Sequence, residues 1–506
     1  LEYIGKRPML LCGILSVICA AAAFYFRTLF IIICILIPLI LALMIIFKVK
    51  AQLLVSALLT VILLFSCIST VGDINRFNES DILNKKADIC VCDITYESEE
   101  YSSAKVEVTG GEIEKGTKLS VTYKEKLYVG QTVEADITAK AVDSKYKEYY
   151  YAEEIYLKGS IKNITPIEGK DDFVLKISQK IRDYIKETLF SKISYPSAAT
   201  LCAIIFGDNS YFTNEFYSNV KGAGVSHVMV VSGMHLSVLV LFFTKLTELI
   251  AYNRYFKAFV ILLVSICLTA ICGFTMSMLR AGFTYALIAL SLIIDRQYNP
   301  ENVLGAAVTF ILIDSPNAVL SGAFQLSVAA TFGILAIASP IMNYIREREM
   351  IEKLWLREFV NSLIVTLSAL IMTLPITIKL FGYVSNVALI TNFLISYAVT
   401  MALSLGIIAL ITNLILPVIA DAVFILLDLI TNYINTVINI FGSKSFSVTV
   451  LPEFCWIIAV LIIIAVFWIL LACKKRRYML KLKEIDEKIL NESGKGRRWQ
   501  QFLKRL

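Results

Sequence analysis

The chain has 506 residues, 57% of them hydrophobic and 18% charged, with a formal net charge of +7 and a mean hydropathy of +0.72. That composition excludes an ordinary soluble domain and a disordered chain, and predicts an α-helical polytopic membrane protein. A hydrocarbon core roughly 30 Å thick takes about 20 apolar residues per helix, so the long uncharged runs are read as spanning helices. Residues 1–70 hold such runs near 8–26, 29–47 and 51–69. The run at 8–26 is followed at once by further apolar runs with no small-residue cleavage pattern, so it reads as a retained helix, not a signal peptide. Lys6 and Arg7 precede the first run and Lys48 and Lys50 follow the second. Basic flanks favour the cytoplasm, which sends the third helix outward.

Residues 71–170 mix both signs of charge and read as a small extracellular β domain. Period-two alternation sets Leu119, Val121 and Tyr123 against Lys118, Ser120 and Thr122, and Val133, Ala135 and Ile137 against Thr132, Glu134 and Asp136. Several short strands punctuated by glycines suit a small barrel of the OB type, although pattern alone leaves other β barrels open. Cys90 and Cys92 fall on one face of a strand, where a disulfide would be strained, and they read as plain thiols. Residues 171–196 form an amphipathic segment with Val174, Ile177, Ile181 and Ile185 at helical spacing, which predicts a helix lying along the membrane surface.

A membrane block follows at 197–473, with about nine crossings that bring the total near twelve. Lys245, Arg254 and Lys257 mark one cytoplasmic loop, and Arg346, Arg348, Lys353 and Arg357 another. The run from Asn302 is cut by Asp314, Ser315, Pro316 and Asn317. It reads as a broken or re-entrant helix or as a tight hairpin. Residues 474–506 form a basic cytoplasmic tail, opened by Lys474, Lys475, Arg476 and Arg477.

Rare residue types gather at a few places in this block. The stretch GVSHVMVVSGMH (224–235) holds both histidines of the chain, His227 and His235, with Ser232 and Gly233. Hydrogen-bonding groups at membrane depth are costly and line a cavity or face another helix; helix packing through small residues explains the same pattern. In CGFTMSMLRAG (272–282), Arg280 lies inside an apolar run and needs a partner or water, unless it snorkels to the surface. In LIDSPNAVLSGAFQLS (312–327), Asp314 and Pro316 break the helix and Gln325 follows. Asp314 either belongs to a polar site or caps the next helix.

These stretches carry a family resemblance. IIFGDNSYFTNEFYSNVKGAGVSHVMVVSGMHLSVL (204–239) resembles the motif of the ComEC family of competence proteins: the Gly207-Asp208 pair, a gap, then Gly224, His227, Ser232, Gly233 and His235 in order. CGFTMSMLRAG, with Gly273 and Arg280, is similar to the family's next motif, and the Asp314, Pro316 and Gln325 stretch to a third. TLPITIKLFGYVSNVALITNFL (373–394) resembles its helix with a proline, Pro375, and the following helix with an asparagine, Asn392.

The resemblance implies a bacterial cytoplasmic membrane channel that passes single-stranded DNA inward during natural transformation. It also implies a surface DNA receptor outside and an ATPase or single-strand-binding proteins inside; self-association stays open. A phosphate chain cannot cross hydrocarbon unaided, so a lined path is required. Its expected lining is His227, Ser232, Gly233, His235, Arg280 and Gln325, with Arg280 as the main attraction for phosphate, partnered by Asp208, Asp314 or water.

Many family members carry a carboxy-terminal metallo-β-lactamase-like domain whose metals need a His-x-His-x-Asp-His cluster. No such cluster occurs here, so no metal, cofactor or catalytic residue is expected, and strand degradation would fall to another protein or to a split gene. No Gly-x-x-x-x-Gly-Lys-Ser/Thr loop occurs either. Tyr123, Tyr128, Tyr149 and Tyr151 are candidates for base stacking, and equally for interfacial anchors. Two rival functions are an intramembrane serine hydrolase pairing Ser232 with His235 or His227, which lacks an acid in the motif to orient the histidine, and a small-molecule secondary transporter.

Overall fold

A computed structural model describes residues 7–46, 51–78, 82–97, 101–143, 146–167, 171–229, 233–250, 253–295, 299–452, 454–469 and 472. Lys6, Lys48, Lys50, Ser232 and the basic tail 474–506 lie outside the described residues. The chain divides into two units, Leu1–Phe332 with Val384–Thr449, and Gly333–Tyr383 with Val450–Leu506.

In the first unit, α1 (Pro8–Tyr25), α2 (Arg27–Ile46) and α3 (Ala51–Asn78) open the chain. Helix α1 lies along α11 (Pro300–Asp314) through glycines. A Cβ on Gly305 would come within 2.0 Å of the Met9 carbonyl oxygen, and one on Gly13 within 2.7 Å of Gly305 Cα. Such close backbone contact is how membrane helices gain dispersion energy where no hydrophobic drive exists between them. Arg7 pairs with Glu301, and Ser16 Oγ donates to Thr309 Oγ1 at 3.3 Å. The two helices therefore run side by side in one direction.

Between α3 and the membrane block lies a closed barrel of β1 (Ile82–Glu97), β2 (Ser102–Gly111), β3 (Lys118–Tyr123), β4 (Thr132–Ala141) and β5 (Ile155–Pro166), with α4 (Lys147–Tyr151) before β5. Its strand order is β1-β2-β3-β5-β4. Every pairing is antiparallel except β3 with β5. The apolar side of the expected alternation, Leu119, Val121, Val133, Ala135 and Ile137, is buried in the core, while Ser120 and Thr132 on the other side are buried as well. The long β1 pairs with both β2 and β4, and register shifts between Asp88 and Ile89 and between Val91 and Asp93 let it bend round the barrel. Cys90 and Cys92 are free thiols, and burial pushes the Cys92 thiol up to about 12.

Helix α3 does not stop at 69 but continues to Asn78. Its polar end finds partners on the barrel: Arg76 pairs with Glu114 at 2.7 Å, and Phe77 stacks on Tyr156 at 5.6 Å. The interruption at Asp314–Asn317 is a buried 3-10 turn, Pro316–Leu320, between α11 and α12 (Gly322–Gly333). Asn317 Nδ2 donates to Tyr156 Oη at 2.5 Å, which seats the turn against the barrel. Asp314 is exposed and makes no capping bond among the described residues; Ser321 Oγ accepts from the Phe324 N–H at 3.4 Å in its place. Tyr25, at the far end of α1, reaches Glu148 of α4 at 3.2 Å. The barrel thus sits at the end of α1 and α11 opposite to the Arg7–Glu301 pair.

The amphipathic segment is α5 (Phe173–Lys192), with Phe173, Val174, Ile177 and Ile181 exposed. After it come α6 (Tyr195–Phe206), α7 (Asn214–Ala223), α8 (Gly233–Ile250), α9 (Arg254–Ile271), α10 (Met276–Ile293), and later α15 (Ala388–Ile415) and α16 (Pro417–Gly442). Buried aliphatic residues of these helices form one continuous core. Arg254 pairs with Asp295 at 2.8 Å and Lys257 with Glu248 at 2.7 Å, which joins the ends of α8, α9 and α10 remote from the barrel.

The second unit contains a π-helical turn, Ile334–Ala338, α13 (Ser339–Glu347) and α14 (Leu354–Phe381). Pro375 lies inside α14, where Thr373 and Thr377 hydroxyls bond back to the Ala369 and Thr373 carbonyls at 3.0 and 3.1 Å. Hydroxyls of this kind make a proline tolerable in a spanning helix. Among the described residues, seven helices are long and apolar enough to cross a membrane, and four shorter apolar helices accompany them.

Gly305→Ala should lower the thermal midpoint of the detergent-purified protein by several degrees, because its Cβ meets backbone on α1. Gly406→Ala in α15 meets nothing within 4 Å, and should leave the midpoint unchanged or raise it by the helix preference for alanine. A similar midpoint for both variants would show that the α1–α11 contact is not tight.

Candidate functional site

The membrane block presents two turns to the barrel, and α5 is bonded to each. One turn, Gly207–Asn209, follows α6, where Gly207 takes a left-handed conformation at the helix end. Asp208 there accepts from Lys186 Nζ at 2.6 Å and from Ser210 Oγ at 2.5 Å. Burial alone would raise the Asp208 carboxyl, but the Lys186 ammonium and the Ser210 donors hold it below the usual carboxylate range. The second turn, Cys272–Thr275, joins α9 to α10, with Gly273 at φ 73°. The Arg182 guanidinium donates to the Ile271 carbonyl, and its Nη2 would lie 2.8 Å from a Cβ on Gly273. Arg182 and Lys186 are four residues apart and so share one face of α5.

Beneath the second turn, Arg280 is the fifth residue of α10, about 6 Å along the helix from its barrel-side start. The side chain is only 7% exposed, so it does not snorkel out. It meets neither expected carboxylate, since Asp208 is held by Lys186 and Asp314 is exposed beside the turn that seats the barrel. Among the described residues no hydrogen bond or ion pair reaches the guanidinium, and Nε is buried without a partner. What it does meet is Gly233, the first residue of α8: a Cβ there would lie 3.0 Å from Arg280 Nη2 and 3.3 Å from Ala281 Cβ.

Gly233 and Arg280 are thus brought together, although they stand far apart in sequence. His235 follows on α8 and is 3% exposed, whereas His227, in the turn after α7, is exposed. Gln325 Nε2 donates to the Val319 carbonyl at 2.8 Å, which ties it to the 3-10 turn. Gly224 ends α7 in a left-handed conformation against Ser385 and Ala388. Thr391, beside the buried Asn392, donates to the Ala223 carbonyl at 2.6 Å, and Ser385 to the Gly222 carbonyl at 2.7 Å. Among the tyrosines, Tyr123 and Tyr151 are 9% and 4% exposed. Neither offers a free face for stacking on a base, because one completes the barrel core and the other packs on Tyr156 at 5.2 Å. Tyr128 and Tyr149 are exposed.

A family model described as "Competence protein" matches residues 204–476, more than half of the chain. The chain belongs to the competence protein family. It is 21% identical over 332 residues to ComE operon protein 3 of Bacillus subtilis (strain 168), a match covering 65% of this chain and 41% of that protein. The chain thus spans less than half the length of that curated relative. No solved structure matches it. The match to the competence family begins at Ile204 and so takes in both turns and the Gly233–Arg280 contact. The barrel and α5 precede it, and Arg182 and Lys186 went unnoticed in the sequence because basic residues on an amphipathic helix read as its solvated face.

Replacing Asp208 by Asn should cost about 1–3 kcal/mol of stability at neutral pH, since Lys186 loses its charged acceptor in a half-buried place. A depressed carboxyl contributes its stability above the unfolded pKa and loses it as pH falls through the folded one. The difference in thermal midpoint between wild type and Asp208→Asn should therefore be constant above about pH 5 and close as the pH is lowered beneath the ordinary aspartate range. A gap that persists unchanged at pH 3 would mean that the pair does not depend on charge.

Proposed function

We propose that the chain conducts single-stranded DNA across the bacterial cytoplasmic membrane during natural transformation. The observation that carries this reading is the buried Arg280, unpartnered among the described residues, at the barrel-side end of the membrane block. A lone guanidinium in an apolar site is costly unless a passing or resident anion shares it, and each nucleotide supplies one such charge. On this reading the strand enters beside the turns gripped by α5 and passes Gly233 and Arg280. The remaining lining residues are His227, Ser232, His235 and Gln325. We take the barrel as an OB-like extracellular domain, the tail as cytoplasmic, and the full membrane count as near twelve helices. Exposed Tyr128 and Tyr149 are its available stacking faces. A surface receptor would deliver the DNA, and a cytoplasmic ATPase would supply the pull.

Deletion in a competent host should abolish transformation while labelled DNA still collects on the cell surface; loss of surface capture would make the protein a receptor instead. Arg280→Ala should lower entry of labelled DNA about 100-fold and Arg280→Lys no more than roughly tenfold, because attraction to phosphate needs charge first and fork geometry second. Normal entry in Arg280→Ala would sink the conduit reading at this residue.

A further inference from the structure

We propose that Arg280 and the first turn of α8 together form a buried site for one phosphodiester monoanion, a reading that rests on the conduit proposal for what brings the phosphodiester there. The first N–H groups of a helix have no acceptor within it and give that end a partial positive charge. At the head of α8 this end is met by Arg280, which lies over Gly233 and has no carboxylate or carbonyl of its own among the described residues. Two positive ends pressed together in an apolar place repel each other. An anion that accepts hydrogen bonds from both, beside their contact, relieves the repulsion, in the way that helix N-termini hold phosphate.

The contact exists because position 233 has no side chain. A Cβ there would crowd both Nη2 of Arg280 and Cβ of Ala281, so a larger residue would push the guanidinium off the helix end. Gly233 is in this sense a specificity-determining residue, since it sets the distance between the two positive groups.

The charge of the ligand follows from the surroundings. Leu236, Met278 and Ala281 are buried close in sequence to the two partners, and the described residues offer no second cation bonded to Arg280. One guanidinium plus a helix end, worth roughly half a charge, matches a single negative charge better than two. A phosphodiester carries one at all physiological pH, whereas a phosphomonoester or inorganic phosphate carries close to two above neutrality. The site therefore favours the linkage found along a nucleic-acid backbone, which is also the linkage of a phospholipid headgroup.

The test uses the full chain, purified in a phosphate-free maltoside detergent, with dimethyl phosphate as the probe and phosphorus NMR line broadening as the readout. Wild type should broaden the probe, inorganic phosphate at pH 8.5 should compete poorly, Gly233→Ala should weaken binding roughly fivefold or more, and Arg280→Lys should retain part of it. Thermal midpoints identify the variants that fold. No broadening by wild type, or wild-type broadening in a folded Gly233→Ala or Arg280→Ala protein, overturns the site. Displacement of the probe by a single-stranded oligodeoxynucleotide supports the strand as the source. A phosphatidylglycerol molecule that copurifies, is lost in Arg280→Ala and resists the oligonucleotide upholds the site with a lipid headgroup in it and removes the strand. Weakened probe binding with normal DNA entry in Gly233→Ala leaves the site standing and brings down the conduit reading.

Discussion

Hydrocarbon offers no hydrogen bonds, so every polar group carried into the membrane block must find its partner inside the protein, and most of the architecture follows from that demand. Asn435 is held between the Thr200 hydroxyl, at 2.7 Å, and the Pro196 carbonyl, at 3.2 Å. Asn219 donates to Asn439 at 3.0 Å where α7 crosses α16. Carbonyls at the end of α7, which have no acceptor role left within that helix, are taken up by Ser385 and Thr391. Serine and threonine hydroxyls along α9 and α15 turn back to their own helix backbones. Against this background Arg280 Nε, like Asn209 Oδ1 and Ser315 Oγ, is buried without a hydrogen-bond partner among the described residues, and of these three it alone belongs to a charged side chain.

Much of the helical order was legible because it needs nothing but length and hydropathy. The alternation of Val133, Ala135 and Ile137 likewise announced the barrel, since a period of two has one simple solution. What hydropathy could not supply was the pairing of polar ends. The extension of α3 through Arg76 and Phe77 depends on Glu114 and Tyr156, which lie on strands far along the chain. The break at Asp314–Asn317 looked like a site within the membrane, yet its meaning lies in Tyr156, a barrel residue. Tyr123 and Tyr151 looked available because an aromatic in a charged segment gives no sign of which way it faces.

The candidate site was legible in its residues and not in its geometry. Rarity singled out Gly233 and Arg280 separately, as a small residue and a charge in apolar runs. That one lies directly over the other could not be read from either stretch, because the crossing of α8 and α10 is set by the packing of the whole helical core. The expected carboxylate partner failed for a comparable reason: Asp208 was already committed to Lys186, a residue whose amphipathic setting disguised it.

Helix α5 is fastened at each end and along its middle. At its start the Asp171 carboxylate accepts from the Thr132 N–H at 2.8 Å and the Asp172 backbone N–H donates to the Gly130 carbonyl at 2.9 Å, both on the barrel. At its far end Lys192 pairs with Asp421 of α16 at 2.7 Å. Its 20 residues make a rod roughly 30 Å long. A tilt of about 10° at the barrel end would displace the other end by roughly 5 Å over that length. Because Arg182, Lys186 and Lys192 all bond to the helical block while Asp171 and Asp172 bond to the barrel, one stiff helix fixes the barrel to the block along most of its length.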